Sequence, residues 1–148
     1  MTKVAGLIVL AVLIAACSEP VPLTATISAV ASTNTTVGGT AQLAVNLTNT
    51  GPRIPHLGLV FRTHDAWYAT HRMTDLAGCT VASDSTAFDC GDLNAGETRS
   101  LSFAGVVTAA GTFHYELALR ELVQPFHYVN DHSDGPDVQV WDEQATAI

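Results

Sequence analysis

Histidines and carboxylates are the residues of this chain whose types could do chemistry. Neutral imidazole is a common ligand of zinc and copper, and the chain has 6 histidines. They are His56, His64, His71, His114, His127 and His132. His114 and Glu116 are two positions apart, so they would share one face of a β-strand. No HExxH motif and no CxxC with HxxxH motif is present. Two interpretations stay open, which are scattered surface histidines and a zinc or copper site.

Three aspartates surround a glycine near the C-terminus. The segment NDHSDGPD at residues 130–137 places Asp131, Asp134 and Asp137 around Gly135. Hard oxygen ligands suit calcium, although the spacing is not that of an EF-hand loop. Asp-Gly-Pro is also typical of a turn between two strands. The segment therefore predicts either a turn or a weak calcium site.

Catalytic motifs are missing from the sequence. It has no GxSxG, no glycine-rich phosphate loop and no Ser-x-x-Lys. Asp89 and Asp92 form a pair of carboxylates, but nothing in the sequence marks a cleft between them. We therefore predict no catalytic residue and no cofactor. A hydrolase would require a nucleophile and a base that only the fold brings together.

Composition excludes two classes of protein. The chain has 148 residues, of which 47% are hydrophobic, and its mean hydropathy is +0.25, so it is not a disordered chain. The formal net charge of −8 argues against a nucleic-acid partner, because phosphate binding needs clustered lysine or arginine.

The N-terminus has the pattern of an export signal. Residues 1–17 read MTKVAGLIVLAVLIAAC, with one positive residue, Lys3, before an apolar run that is too short to span a membrane. The tetrapeptide Ile14-Ala15-Ala16-Cys17 resembles a bacterial lipobox. The resemblance implies that residues 1–16 are removed as a lipoprotein signal peptide and that Cys17 is lipidated. An ordinary signal peptide with a chance cysteine is the alternative.

Removal of the signal peptide would leave a strongly acidic domain close to its anchor. The remainder keeps five arginines, no lysine and all 14 acids, a net charge of −9, and anionic headgroups would repel it. Residues 17–22 would form a short tether, in which Ser18 to Val21 spans at most about 14 Å. We expect a protein that is lipid-anchored in the cell membrane or the outer membrane and faces away from the cytoplasm.

Cys79 and Cys90 are the two cysteines that remain. An even pair in an exported chain predicts a disulfide, which here would close a local excursion or hairpin. A thiolate metal pair is the alternative, but the spacing is much wider than that of CxxC.

Alternation of apolar and polar residues predicts antiparallel strands with one buried face each. The alternating runs lie at 23–31, 40–48, 57–61, 100–103, 113–119 and 138–140. In the last run Val138 and Val140 are the apolar residues. Turn sequences such as Gly38-Gly39 and Asn94-Ala95-Gly96 separate the runs. Seven to eight short strands predict an all-β sandwich over residues 23–142 and a C-terminal tail over residues 143–148.

Two turn motifs resemble those of a known family. The stretch TAQLAVNLTNTG at residues 40–51 is followed by the Cys79–Cys90 segment and by Leu93-Asn94-Ala95-Gly96-Glu97. This order is similar to that of the bacterial Ig-like domains of the conserved-repeat, cell-adhesion-related type. The resemblance covers roughly residues 23–142 and implies an Ig-like sandwich that acts as an extracytoplasmic interaction module. The chain has one copy where the family has tandem repeats.

These observations predict a non-catalytic, membrane-anchored module that holds an envelope protein partner through a sheet edge or a loop cluster. The residues predicted to contact the partner are Trp67, His71, His114 and Glu116, although Trp67 also fits a place in the core. The alternative function is an envelope protein that binds zinc or copper through histidines or is stabilised by calcium.

Overall fold

The computed structural model describes residues 19–63, 65–83 and 86–148. The predicted signal peptide, the lipidation site Cys17 and the candidate ligand His64 lie outside the described residues. Within these ranges no helix has both the length and the apolar character needed to cross a membrane.

The described residues form twelve strands and one single-turn helix. In chain order they are β1 (Ala25–Ala31), β2 (Asn34–Thr36), β3 (Thr40–Asn49), β4 (Leu57–Phe61), α1 (Trp67–Thr70), β5 (His71–Asp75), β6 (Thr80–Val81), β7 (Ala87–Asp89), β8 (Thr98–Val107), β9 (Gly111–Glu121), β10 (Asp131–His132), β11 (Gly135–Pro136) and β12 (Gln139–Thr146). One sheet has the order β1-β3-β8-β5 and the other β2-β12-β9-β4-β7-β6, while β10 and β11 form a separate hairpin.

The core lies between the two sheets and follows the predicted alternation. On β3 the side chains of Leu43 and Val45 are buried, and they stand opposite Phe103 and Leu101 of β8. Tyr115 and the two leucines that follow it at alternate positions of β9 are buried from the other sheet. A core between two sheets requires that every second side chain along the strands of each sheet is buried, as observed here.

The predicted fold class is confirmed, because the chain forms an all-β, Ig-like sandwich with one disulfide. Strands of only two or three residues bring the number of strands in the described residues to twelve, above the predicted seven to eight. The last strand also continues to Thr146, since β12 pairs with β9 as far as Ala145 and with β2 as far as Thr146. Residues 143–146 therefore belong to the sandwich and not to the predicted tail.

The disulfide joins Cys79 to Cys90, as predicted. The two cysteines flank the β6–β7 hairpin, in which Thr80 pairs with Asp89. The bridge therefore closes the open end of this hairpin at the edge of the six-stranded sheet. A closed loop of this size stabilises the fold by about 3 kcal/mol in the chain-entropy model.

A buried asparagine holds together the two turn motifs that the sequence analysis singled out. The Asn49 side-chain amide donates to the carbonyls of Pro52, Leu93 and Asn94 at 2.8, 3.2 and 3.1 Å. Its backbone carbonyl accepts from the N–H of Gly96 at 3.0 Å. Gly96 has a φ of 74°, a conformation that favours glycine. The motifs thus dock the β3–β4 loop onto the β7–β8 loop at one end of the sandwich.

We predict that Asn49→Ala lowers the free energy of unfolding by about 2–3 kcal/mol, because buried carbonyls lose their donors. Chemical denaturation of the wild type and of the variant measures this difference.

Asn46→Ala is the matched control, since Asn46 is exposed on the same strand and its side chain bonds only to Ser100 in the described contacts. This control should change stability by no more than about 0.5 kcal/mol. Equal losses in the two variants would contradict the role given to Asn49.

Candidate functional site

A polar cluster lies in the core where α1 runs into β5. His71 and Glu143 are buried, and His71 Nε2 lies 3.2 Å from Glu143 Oε1. Glu143 Oε1 also accepts from the Thr35 hydroxyl at 2.7 Å. The hydroxyls of Thr70 and Tyr115 are 2.8 Å apart beside this pair. The cluster joins β5 of one sheet to β2, β9 and β12 of the other.

The hydrogen bonds of His71 define where its protons lie. His71 Nδ1 is 2.9 Å from the Trp67 carbonyl oxygen, which can only accept, so Nδ1 carries a proton. Burial alone raises the pKa of Glu143, but hydrogen bonds from His71 and Thr35 and the charge of His71 outweigh it and hold that pKa below its usual value. Glu143 is then a carboxylate, and its Oε1 lies within hydrogen-bond distance of Nε2 of His71.

The cluster has the composition of a hydroxyl–imidazole–carboxylate triad but not its function. In such a triad the imidazole accepts the proton of the hydroxyl. Here Thr70 Oγ1 is 3.0 Å from His71 Nδ1, which already donates to a carbonyl and cannot accept. Thr70, His71 and Glu143 are also all buried, so no substrate reaches them. This buried cluster therefore does not provide the nucleophile and base that a hydrolase would require.

The placement of Trp67 and His71 corrects the prediction that they contact a partner. Both side chains are buried, and their rings stack with centroids 4.4 Å apart. Gly105 of β8 makes room for them, since a Cβ there would lie 2.8 Å from the Cβ of His71. Aromatic area of this kind stabilises the core, and a partner on the protein surface does not touch it.

His114 and Glu116 lie on the solvent side of the six-stranded sheet, with their side chains half exposed. His114 Nε2 is 3.6 Å from Glu116 Oε1, and its Nδ1 is 2.6 Å from Asp142 Oδ1 on β12. Arg62 is exposed on the neighbouring chain segment, where its N–H donates to the Glu116 carbonyl at 2.9 Å. Val140 pairs with Glu116 and is 54% exposed. We call these five residues the outer face.

The hydrogen bond to Asp142, more than any other contact, raises the pKa of His114 above 6.5. Glu116 adds to the effect. The outer face therefore carries charges of both signs around an exposed valine.

The predicted calcium ligands lie on the β10–β11 hairpin. Asp131, Asp134 and Asp137 are exposed, and Asp131 pairs with Pro136 across the hairpin. In the described part of the chain no three histidine, cysteine or acidic side chains are arranged to hold a metal ion. The turn interpretation fits this geometry, and neither the calcium site nor the zinc or copper site receives support.

Each described histidine instead faces a carboxylate. The pairs are His56–Asp89 at 3.1 Å, His71–Glu143 at 3.2 Å, His114–Asp142 at 2.6 Å, His127–Glu121 at 3.2 Å and His132–Asp137 at 3.4 Å. Four of the five pairs are at the surface, where such contacts contribute little to stability.

Glu143 is a core residue that the sequence pattern did not reveal.

We predict that Glu143→Ala lowers the free energy of unfolding by about 3 kcal/mol or more. The loss follows because the buried side chain of His71 and the Thr35 hydroxyl would lose the carboxylate that they contact. Asp142→Ala on the opposite face of β12 is the control and should change stability by about 0.5 kcal/mol or less. Denaturation at pH 7 compares the two variants, and similar values for both would refute a structural role for the buried pair.

We further predict that Asp142→Asn moves the pKa of His114 down towards 6.5. Because the folded-state pKa lies above the unfolded value, the contact stabilises the fold fully below pH 6.5. This contribution is lost as the pH rises through the raised pKa. NMR titration of the ring protons measures the change. Asp137→Asn, beside His132, is the control and should leave His114 unaffected; an unchanged His114 titration in Asp142→Asn would contradict the assignment.

Comparison with known proteins identifies the fold. No protein-family model matches the sequence, and no curated protein matches it. A solution structure of the CARDB domain of a Pyrococcus furiosus protein is 14% identical, with a TM-score of 0.53 over 84% of this chain and 96% of that one. A crystal structure of the same domain in complex with di-metal ions is 11% identical, with a TM-score of 0.51 over 88% and 100%. At such identities the likeness shows a shared fold, which is that of a CARDB domain.

Proposed function

We propose that this chain is an exported, lipid-anchored envelope protein whose Ig-like domain is a non-catalytic module that binds a partner protein. The observation that carries the proposal is the outer face, where the exposed Val140 lies beside Glu116 and Asp142. His114 and Arg62 continue this surface across β9 and the segment next to it. Protein interfaces combine apolar and charged side chains in this way.

Export is supported by two independent features. The lipobox-like sequence ends at Cys17, and the other two cysteines of the chain form a disulfide. Disulfides persist in oxidising compartments outside the cytoplasm. An anchor at Cys17 would hold the domain close to a membrane surface, because residues 18–21 are few and cannot extend far.

The outer face is a better candidate for partner binding than the rest of the predicted site. Its side chains are held in place by strand pairing, with Val140 opposite Glu116 and Asp142 opposite His114. A preorganised surface lowers the entropy cost of binding. Charges of both signs favour one orientation of a partner with the complementary pattern.

A non-catalytic role is supported by the state of the buried cluster. Nδ1 of its histidine lies against the Trp67 carbonyl and Nε2 against Glu143, and Thr70, His71 and Glu143 are buried. The role of this cluster is therefore structural, because it holds the two sheets together.

Photo-cross-linking tests the proposal. A photoreactive amino acid replaces Val140 in the full-length protein, which is then irradiated in its native envelope. We expect one protein adduct, identified by mass spectrometry. The double substitution His114→Ala and Glu116→Ala should lower its yield about tenfold by removing electrostatic complementarity. The melting temperature should change little, because these side chains are at the surface.

The same photoreactive residue at Val30 is the matched control. Val30 is 72% exposed on β1 of the opposite sheet. It should not give the adduct formed from position 140. An identical set of adducts from both positions, or a yield that the double substitution leaves unchanged, would refute the outer face as the binding surface.

A further inference from the structure

Two uncharged segments lie at the end of the sandwich where the N-terminal chain enters. The first is Pro20-Val21-Pro22-Leu23, and the second is the β9–β10 loop sequence Leu122-Val123-Gln124-Pro125-Phe126. In a domain with 14 acids, two neighbouring stretches without charge form a distinct local surface. We call these two segments together the apolar end.

Hydrogen bonds tie the end of the first segment and the start of β1 to Asn130, at the end of the β9–β10 loop. The N–H of Asn130 donates to the Leu23 carbonyl at 2.9 Å, and the Asn130 side chain donates to the Ala25 carbonyl at 2.6 Å. Pro20 to Leu23 line a shallow cavity together with His127 and Tyr128, which follow the second segment directly. The N-terminal entry and the β9–β10 loop therefore occupy one place on the surface.

Large apolar side chains at the apolar end face solvent. Val21 is 71% exposed, Val123 is 39% exposed and Phe126 is 46% exposed. One ring face of Phe126 lies against the Arg120 guanidinium, 5.0 Å from the ring centroid. Single exposed apolar residues are common on protein surfaces, but a cluster next to an attachment point suggests a contact.

The chain between the predicted anchor and the apolar end is short. Cys17 precedes Val21 by four residues, which span at most about 14 Å. A lipid chain on Cys17 would be inserted in the bilayer, so Val21 and its neighbours would lie within that distance of the membrane surface. The β9–β10 loop is fixed beside Val21 and would be held there with it.

We infer that Val123 and Phe126, together with Val21, insert into the interfacial layer of the membrane and orient the domain. This inference rests on the lipid anchor of the proposed function. The partner is a lipid surface with zwitterionic headgroups, because a domain of charge −9 is repelled by anionic lipids. Aromatic and apolar side chains at this depth lie at the boundary between headgroups and acyl chains.

The nearby acids are compatible with such a shallow contact. Glu121 faces His127 at 3.2 Å, and Asp137 faces His132 at 3.4 Å, so two of the carboxylates at this end lie next to a group that can carry positive charge. Asp131 borders the cavity beside Val21 and limits how deeply the apolar end can enter. The contact therefore involves the tip of the loop and not the body of the domain.

In the inferred orientation the outer face points to the side of the domain, parallel to the membrane and not towards it. β9 starts at Gly111 and ends at Glu121 next to the apolar end, so its length of roughly 36 Å extends away from the membrane. The domain would stand on one end of the sandwich. His114 and Asp142 would then lie well above the headgroups, where a neighbouring envelope protein can reach them.

Depth-dependent fluorescence quenching tests this inference. The full lipidated protein carrying Phe126→Trp is reconstituted into phosphatidylcholine vesicles with brominated acyl chains, and the signal of Trp67 and Trp141 is subtracted with the wild type. We expect the new tryptophan to lose most of its emission. Val30→Trp is the matched control and should keep its emission, because β1 places it roughly 16 Å further from the membrane than Ala25. Near-ultraviolet circular dichroism confirms that both variants are folded.

Intact mass separates this inference from the proposed function. A protein that carries lipid on Cys17 but shows no quenching of the Phe126→Trp tryptophan refutes the membrane contact and leaves the anchor standing. Equal quenching at both positions refutes the end-on orientation. A mature protein without lipid refutes the anchor, and the inference falls with it. Cross-linking of the loop to a protein, with no quenching by lipid, assigns the apolar end to a protein partner and overturns the inference.

Discussion

The arrangement of this sandwich depends on the buried pair of His71 and Glu143. A carboxylate in a protein core is costly unless it is paired, and Glu143 Oε1 contacts His71 of one sheet and Thr35 of the other. The Trp67 carbonyl in turn holds the imidazole in place. Because these contacts converge from both sheets, the pair sets how the sheets face each other. A buried carboxylate without its partner is costly, so the contact disfavours arrangements of the sheets that separate Glu143 from His71.

This constraint also separates the residues that hold the fold from those that are free to bind. Trp67 and His71 have the side chains that interfaces favour, but the core requires both of them. His114, Glu116, Val140 and Asp142 remain at the surface, where strand pairing holds them on the solvent side of β9 and β12. Glu143 points into the core while its neighbour Asp142 points to solvent and contacts His114. One strand therefore serves the core with one face and the candidate binding surface with the other.

Local patterns in the sequence were sufficient for the fold class, the disulfide and the inward faces of β3 and β9. They were insufficient for β12. Alternation in the sequence predicts Val138 and Val140 on the buried side of the last strand, but Val140 is exposed and Glu143 is buried. A shift of one position exchanges the two faces of a strand, and the pairing of Trp141 with Tyr115 across β9 decides between them. That partner is distant in sequence, so alternation within a short run could not reveal it. For the same reason the sequence predicts Glu143 in the C-terminal tail and does not reveal the buried cluster to which it belongs.

Three sets of contacts brace the end of the sandwich where the chain enters. Asn49 joins the β3–β4 and β7–β8 loops there, the Cys79–Cys90 bridge lies where β7 ends next to them, and Asn130 ties the entering chain to the β9–β10 loop. A domain attached by a short tether can hold a defined angle only if the attached end is rigid, because a deformable end would let the rest rotate freely. In the proposed lipid-anchored protein, cross-bracing at this end would convert the attachment at Cys17 into a fixed orientation. The sandwich would then present its outer face at a constant height above the membrane, which a module that holds one partner there would require.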